Sequence, residues 1–238
     1  MSLTTQKLSL VSLPRTAWLF LQLILWLIGA RVVALLLFKP SWGLNLFWNL
    51  IIPVAPALLV LIPGVWRNIC PMASTALLPK KLKLSKGKRL SKEQQGWLYL
   101  AGVIALFLIV PMRHLILNTN GAATALMLLG ALGIGLYMGR HFEWRSGWCA
   151  SACPIHSVER LYGTTPLFTT DNAHCQSCEQ CISLCPDATK QMSASLTRNM
   201  PAERFAGTLM TGGFVGFIWF MLIRPKSRQQ HNWSIRPQ

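Results

Sequence analysis

The chain has 238 residues, 52% of them hydrophobic and only 13% charged; soluble domains carry roughly 25% charged residues, so neither an ordinary soluble protein nor a disordered one fits. Lys and Arg number 23 against 7 acids, a net charge of +16, which raises nucleic acid as a partner. The acids exclude it: all seven (Glu93, Glu143, Glu159, Asp171, Glu179, Asp187, Glu203) lie between 93 and 203, and the acid-free apolar tracts with basic flanks on either side describe a membrane protein.

Five stretches are long and apolar enough to span a bilayer. The first, 17–38, is too long for a cleavable signal peptide and no small-residue cleavage site follows it. It contains one charge, Arg31, about two turns from its end; the plain reading is a side chain snorkelling to the interface, the sharper one a partner for a lipid phosphate or a quinone oxygen. The second span, 46–66, is punctuated by Pro53, Pro56 and Pro63, which free backbone carbonyls that neighbouring helices must satisfy. Cys70-Pro71 follows it.

Segment 67–96 then carries Arg67, Lys80, Lys81, Lys83, Lys86, Lys88, Arg89 and Lys92 against Glu93 alone, a cytoplasmic signal. The lysine-rich stretch 80–92 has three readings: a determinant of topology, a binder of anionic headgroups, or a dock for an acidic redox partner. Spans three and four, 97–117 and 121–138, are joined by an uncharged loop, and the 39–45 loop holds only Lys39, which suits the opposite side. Ala131, Gly135 and Gly139 recur every four positions, as do Gly212 and Gly216 in the fifth span, 205–223; such small residues let helix backbones approach closely. Five spans place 67–96 and 139–204 on the cytoplasmic face. They also place the basic tail (Arg224, Lys226, Arg228, Arg236) outside, against the charge rule.

Six of the seven cysteines crowd into 149–185. Cys175, Cys178, Cys181 and Cys185, followed by Pro186, form the C-x2-C-x2-C-x3-C-P run of bacterial ferredoxins. Its first three thiolates bind one cubane, and the fourth, in two-cluster proteins, ligates the other. Zinc is the competing reading, but zinc ribbons use two Cys pairs with a longer spacer. Trp148-Cys149 to Cys153-Pro154 repeats the end of the run. Cys153 would complete the cluster of Cys175, Cys178 and Cys181; Cys185 would cross to a second with Cys149 and Cys70. Trp66 stands where a degenerate copy ending in Cys70-Pro71 would have its first cysteine. Seven thiolates fall one short of two complete 4Fe–4S clusters. The second site is then a three-iron cluster, or a 4Fe–4S cluster with a His, Asp or water ligand, His156 and His174 being near in sequence. A single cluster with Cys70 and Cys149 as free thiols is the remaining alternative. Arg140, Arg145 and Arg160 are placed to favour a reduced, more anionic cluster.

Over roughly residues 46–225 the chain resembles the small membrane-bound ferredoxins of the nitrate- and nitrous-oxide-reductase accessory type, with the cytochrome-oxidase accessory polyferredoxins as relatives. The likeness rests on Cys70-Pro71, on Cys149 to Cys153-Pro154, and on the 175–186 run. It lacks a cysteine at 66 and has one four-cysteine run where many relatives have two. The resemblance implies quinol dehydrogenases or redox accessory proteins that pass electrons through cytoplasm-facing clusters in the bacterial inner membrane.

The expected architecture is therefore an α-helical integral membrane protein of about five transmembrane helices with a small bacterial-ferredoxin-like iron–sulfur segment on the cytoplasmic face. Residues 1–138 hold the first four helices and the basic loop, 139–204 the cluster-binding segment, and 205–238 the last helix and tail. Haem would need histidines at matching depth, which His114 and His141 are not; no nucleotide or flavin motif is present, and no acid lies in a span to serve an ion pump. The expected function is single-electron transfer between the quinone pool, or a soluble donor, and a partner oxidoreductase. The partners are membrane lipids, quinone and a redox protein, not nucleic acid. A maturation factor for another respiratory complex, or a non-catalytic anchor subunit, are the alternatives.

Overall fold

The computed structural model describes residues 8–9, 14–143, 145–162, 168–169, 200–214 and 216. Four of its helical stretches are long and apolar enough to cross a membrane: Thr16–Phe38, Pro40–Leu58, Lys92–Leu117 and Gly121–His141. The fifth expected span, 205–223, starts within the described residues and continues outside them.

Proline writes most of the boundaries. A residue preceding proline is pushed off the helical conformation, whereas proline itself suits the first helical position. Helix α1 (Arg15–Phe38) accordingly ends at Lys39 (φ −137°, ψ 70°), and α2 (Pro40–Asn45) begins at Pro40. A π-helical turn, Leu46–Ile51, joins α2 to α3 (Ile52–Leu61) just before Pro53 and Pro56, where missing amide donors favour irregular winding. The same break recurs at Ile62 before α4 (Pro63–Ile69), and at Cys70 (φ −57°, ψ 117°) before α5 (Pro71–Lys81). The second span thus runs earlier than hydropathy placed it: Pro40 starts it, and the Ile62–Pro63 break detaches Trp66 from it.

A capping box between Ser91 and Gln94 opens α6 (Lys92–Met112), which passes into a π-helical turn, Arg113–Leu117. Asn120 accepts the Ala123 N–H at 3.0 Å and starts α7 (Gly121–His141). A π-helical segment, Arg145–Ala152, precedes α8 (Pro154–Tyr162). Two-residue strands β1 (Leu8–Ser9) and β2 (Phe168–Thr169) pair in parallel. Finally α9 (Pro201–Thr208) continues as a wide turn, Leu209–Phe214.

One end of the bundle is closed by Val32 and Leu36 of α1 against Phe47, Trp48, Leu117 and Ala125. There the Trp48 indole N–H donates to the Leu117 carbonyl at 3.1 Å, and the Arg113 guanidinium lies 4.9 Å from the Trp48 ring centroid. At the other end Gly139 of α7 lies against Ala76 of α5 so closely that a Cβ would overlap the Ala76 carbonyl, and Gly135 faces the Trp148 ring. The four-residue spacing of small residues in α7 is therefore a packing device. Gly212 and Gly216 differ: a Cβ there meets nothing within 4 Å, so among the described residues their spacing serves no contact. Along α6, Tyr99 and Val103 pack on Ala206, Met210 and Phe214.

These contacts fix sidedness relative to the bundle. The segment after α5 is tied to the end of α7: Lys86 donates its N–H to the Arg140 carbonyl at 2.7 Å, and Glu143 donates to the Lys88 carbonyl at 3.0 Å. Segment 67–96 and the start of 139–204 therefore share one face, as the charge pattern predicts. His114 and His141 lie at opposite ends, also as predicted.

Candidate functional site

Two helix–Cys–Pro–helix units meet at the face that carries the basic segment. In the first, α4 ends at Cys70 and Pro71 starts α5; in the second, the π-helical Arg145–Ala152 segment ends at Cys153 and Pro154 starts α8. The X–Pro rule explains both: each cysteine is forced out of the helical region and becomes the residue that caps the next helix. Its sulfur then receives backbone N–H groups of the following turn, from Met72 and Ala73 at Cys70 and from Ile155 and His156 at Cys153. Both motifs place a cysteine at a helix–proline break, but the Cys70 N–H bonds to the Trp66 carbonyl four residues back and the Cys153 N–H to the Trp148 carbonyl five back. Trp66, in the place of a first cysteine, packs on the cluster formed by Cys70, Ala73 and Leu77.

Cys149 is also packed against that cluster, and both Cys149 and Cys153 touch the neighbouring group of Ala76, Met138 and Trp148. Cys70, Cys149 and Cys153 thus lie in two adjoining packed groups that share Cys149, although α6 and α7 separate Cys70 from the other two in the chain. Cys70 and Cys153 carry free thiols.

The Cys70 and Cys153 thiols are held neutral. Burial pushes Cys70 up, against the lowering effect of its backbone N–H donors, and the Glu159 carboxylate raises it further. Cys153 is pushed up to about 12, first by burial and then by the nearby Cys70 and by Glu159. A helix N-terminus favours an anion, but desolvation wins here. Any metal bound at these sulfurs must displace their protons.

Sequence reasoning missed three polar residues around the thiols. Glu159 is buried, with its Oε2 3.6 Å from His156 Nδ1. Asn68 is fully buried two residues before Cys70, and its carbonyl accepts the Gln22 side-chain N–H of α1 at 2.9 Å. The Trp26 indole donates to Thr75 Oγ1 at 3.3 Å, a second tie from α1 to the Cys70 unit. A lone Gln in an apolar run and an acid between cysteine motifs gave no periodic signal.

His156 is placed by its ring on Tyr99, 6.3 Å between centroids at 75°, and by Glu159. Among the described residues no three His, Cys, Asp or Glu side chains converge into a metal-holding group. Cys175, Cys178, Cys181, Cys185 and His174 lie outside the described residues, as do the side chains of Arg145 and Arg160. Cys70 and Cys153 are soft donors that receive backbone N–H bonds, the donor type that a thiolate-bound cluster would use.

The chain matches no family model, no curated protein and no solved structure.

Proposed function

We propose that the chain is a membrane-bound iron–sulfur electron carrier of the accessory-ferredoxin type, seated in a bacterial inner membrane with its clusters toward the cytoplasm. The observation that carries this reading is the meeting of the two Cys-Pro units: Cys149 packs against the group of Cys70, Ala73 and Leu77, and Cys70 acts electrostatically on Cys153; the 175–186 run supplies four further thiols of cluster spacing. A 4Fe–4S cluster bound by these cysteines supplies a one-electron couple.

In this account the described residues do three things. The Met72, Ala73, Ile155 and His156 amides donate to the ligating sulfurs and stabilise their negative charge. Leu77, Trp148 and Met138 exclude water, which strengthens every charge interaction inside. The Gln22–Asn68 and Trp26–Thr75 bonds anchor the Cys70 unit to α1, and on this reading electrons pass between a lipid-soluble quinone and a soluble partner protein. Arg31 is exposed on α1, next to Val32 at the bundle end away from the thiols; its plain role is to snorkel to that interface, and a lipid phosphate or quinone oxygen is the sharper alternative. The test is anaerobic purification followed by iron, sulfide and zinc analysis and paramagnetic resonance of the reduced protein. Iron with equal sulfide and a reduced-state 4Fe–4S signal is expected; bound zinc without iron overturns the proposal.

A further inference from the structure

The segment that follows α5 is a fixed platform. Lys83 (φ 57°) and Gly87 (φ 60°) occupy left-handed positions. Around Lys83 the chain closes α5 with paired bonds, Lys83 N–H to the Lys80 carbonyl at 3.0 Å and Leu84 N–H to the Pro79 carbonyl at 2.8 Å. This closure takes glycine by preference, because a side chain there crowds the backbone. The Ser85 hydroxyl donates to the Gly139 carbonyl at 2.7 Å, and the Lys86 and Lys88 amides bond to the last carbonyls of α7. With the backbone pinned, Lys83, Lys86, Lys88, Arg89 and Lys92 are all exposed, and Glu93 is the one acid among them. Interleaved with these cations, Leu82 and Leu84 stand 58% and 55% exposed.

We infer that residues 82–92 form a binding surface for anionic phospholipid headgroups of the membrane that the bundle spans. The inference is independent of the redox reading. Two observations favour lipid over an acidic protein. The platform is tied to the last turn of a span-length helix, so it lies at headgroup level. It also exposes leucines between its cations, which suits the boundary between headgroups and acyl chains. A left-handed lysine where glycine is favoured places one more charge on this surface at a cost to the fold.

The test uses the full chain in nanodiscs of equal phosphatidylglycerol and phosphatidylcholine, with spin-labelled forms of each lipid reporting their relative association. Phosphatidylglycerol is expected to be favoured several-fold, the ratio falling toward unity in about 1 M salt and in K83Q/K86Q/K88Q/R89Q. Lys83→Gly relaxes the strained position, so it keeps the fold and must still lower the ratio. A ratio unmoved by Lys83→Gly and by the quadruple variant overturns the inference. So does binding of polyglutamate by the wild-type protein with no preference between the lipids, which would indicate an acidic protein partner.

Discussion

Gly139→Ala tests whether helix packing builds the thiol site. Any Cβ at position 139 overlaps the backbone carbonyl of Ala76, and backbone cannot rotate aside as a side chain does. Helices α5 and α7 must separate, and with α5 moves the Cys70 unit that begins it. Overpacking of this kind costs about 1–3 kcal/mol, and the backbone contact puts it in the upper part of that range. Gly130→Ala is the control, because a Cβ there meets nothing within 4 Å on the same helix. Both variants gain about 1 kcal/mol of helix propensity, which cancels in the comparison. The expected gap is therefore about 2–3 kcal/mol, or roughly 4–12 °C in midpoint at about 2–4 °C per kcal/mol. Thermal unfolding of the three proteins in one detergent measures it, and metal analysis shows whether Gly139→Ala alone also loses iron. Equal midpoints for the two variants would refute the packing argument.

Gln22→Leu removes the side-chain donor to the buried Asn68 carbonyl and should lower stability by about 1–3 kcal/mol, read as a midpoint shift; an unchanged midpoint would mean the tie between α1 and the Cys70 unit is idle. Cluster-free protein should weaken in alkali. The folded Cys153 thiol, at about 12, lies above its unfolded value of about 8.5. Its contribution is thus fully present below about pH 8.5 and is lost as pH rises toward the folded value. Melting profiles from pH 7 to 11 should fall, and Cys153→Ala should flatten them; a rise with pH contradicts the assignment. Reporter fusions at Ser85 and Asn120 should report cytoplasm and periplasm respectively, and the same answer from both would break the four-span arrangement.

Hydropathy made the spans legible because three of them are long apolar runs: 17–38 is broken by one charge, Arg31, 97–117 carries Arg113 and His114 only near its end, and 121–138 has no charge. It misplaced the second because the decisive signals, Lys39-Pro40 and Ile62-Pro63, are single dipeptides that a window average smooths over. Segment 67–81 reads as a basic loop, yet it contains α5, whose short helix buries Ala73, Ala76 and Leu77. Nothing in the apolar content of so short a stretch announces that face. For the same reason the small-residue spacing of α7 announced close packing but not its partner, Ala76. At the site, Cys-Pro spacing singled out Cys70, Cys149 and Cys153, while Glu159, Asn68 and Gln22 are recognisable only once the helices that bring them together exist.

The proposed function requires Cys70 to share a metal centre with cysteines of the 149–153 and 175–185 segments. Iron and acid-labile sulfide per chain, measured on anaerobically purified wild type and Cys70→Ala, test this most directly. The prediction is about seven to eight irons in the wild type, falling by three to four in the variant, with the signal of the cluster held by Cys153, Cys175, Cys178 and Cys181 intact. About four irons in both proteins would contradict it, leaving Cys70 a packed thiol at the start of α5.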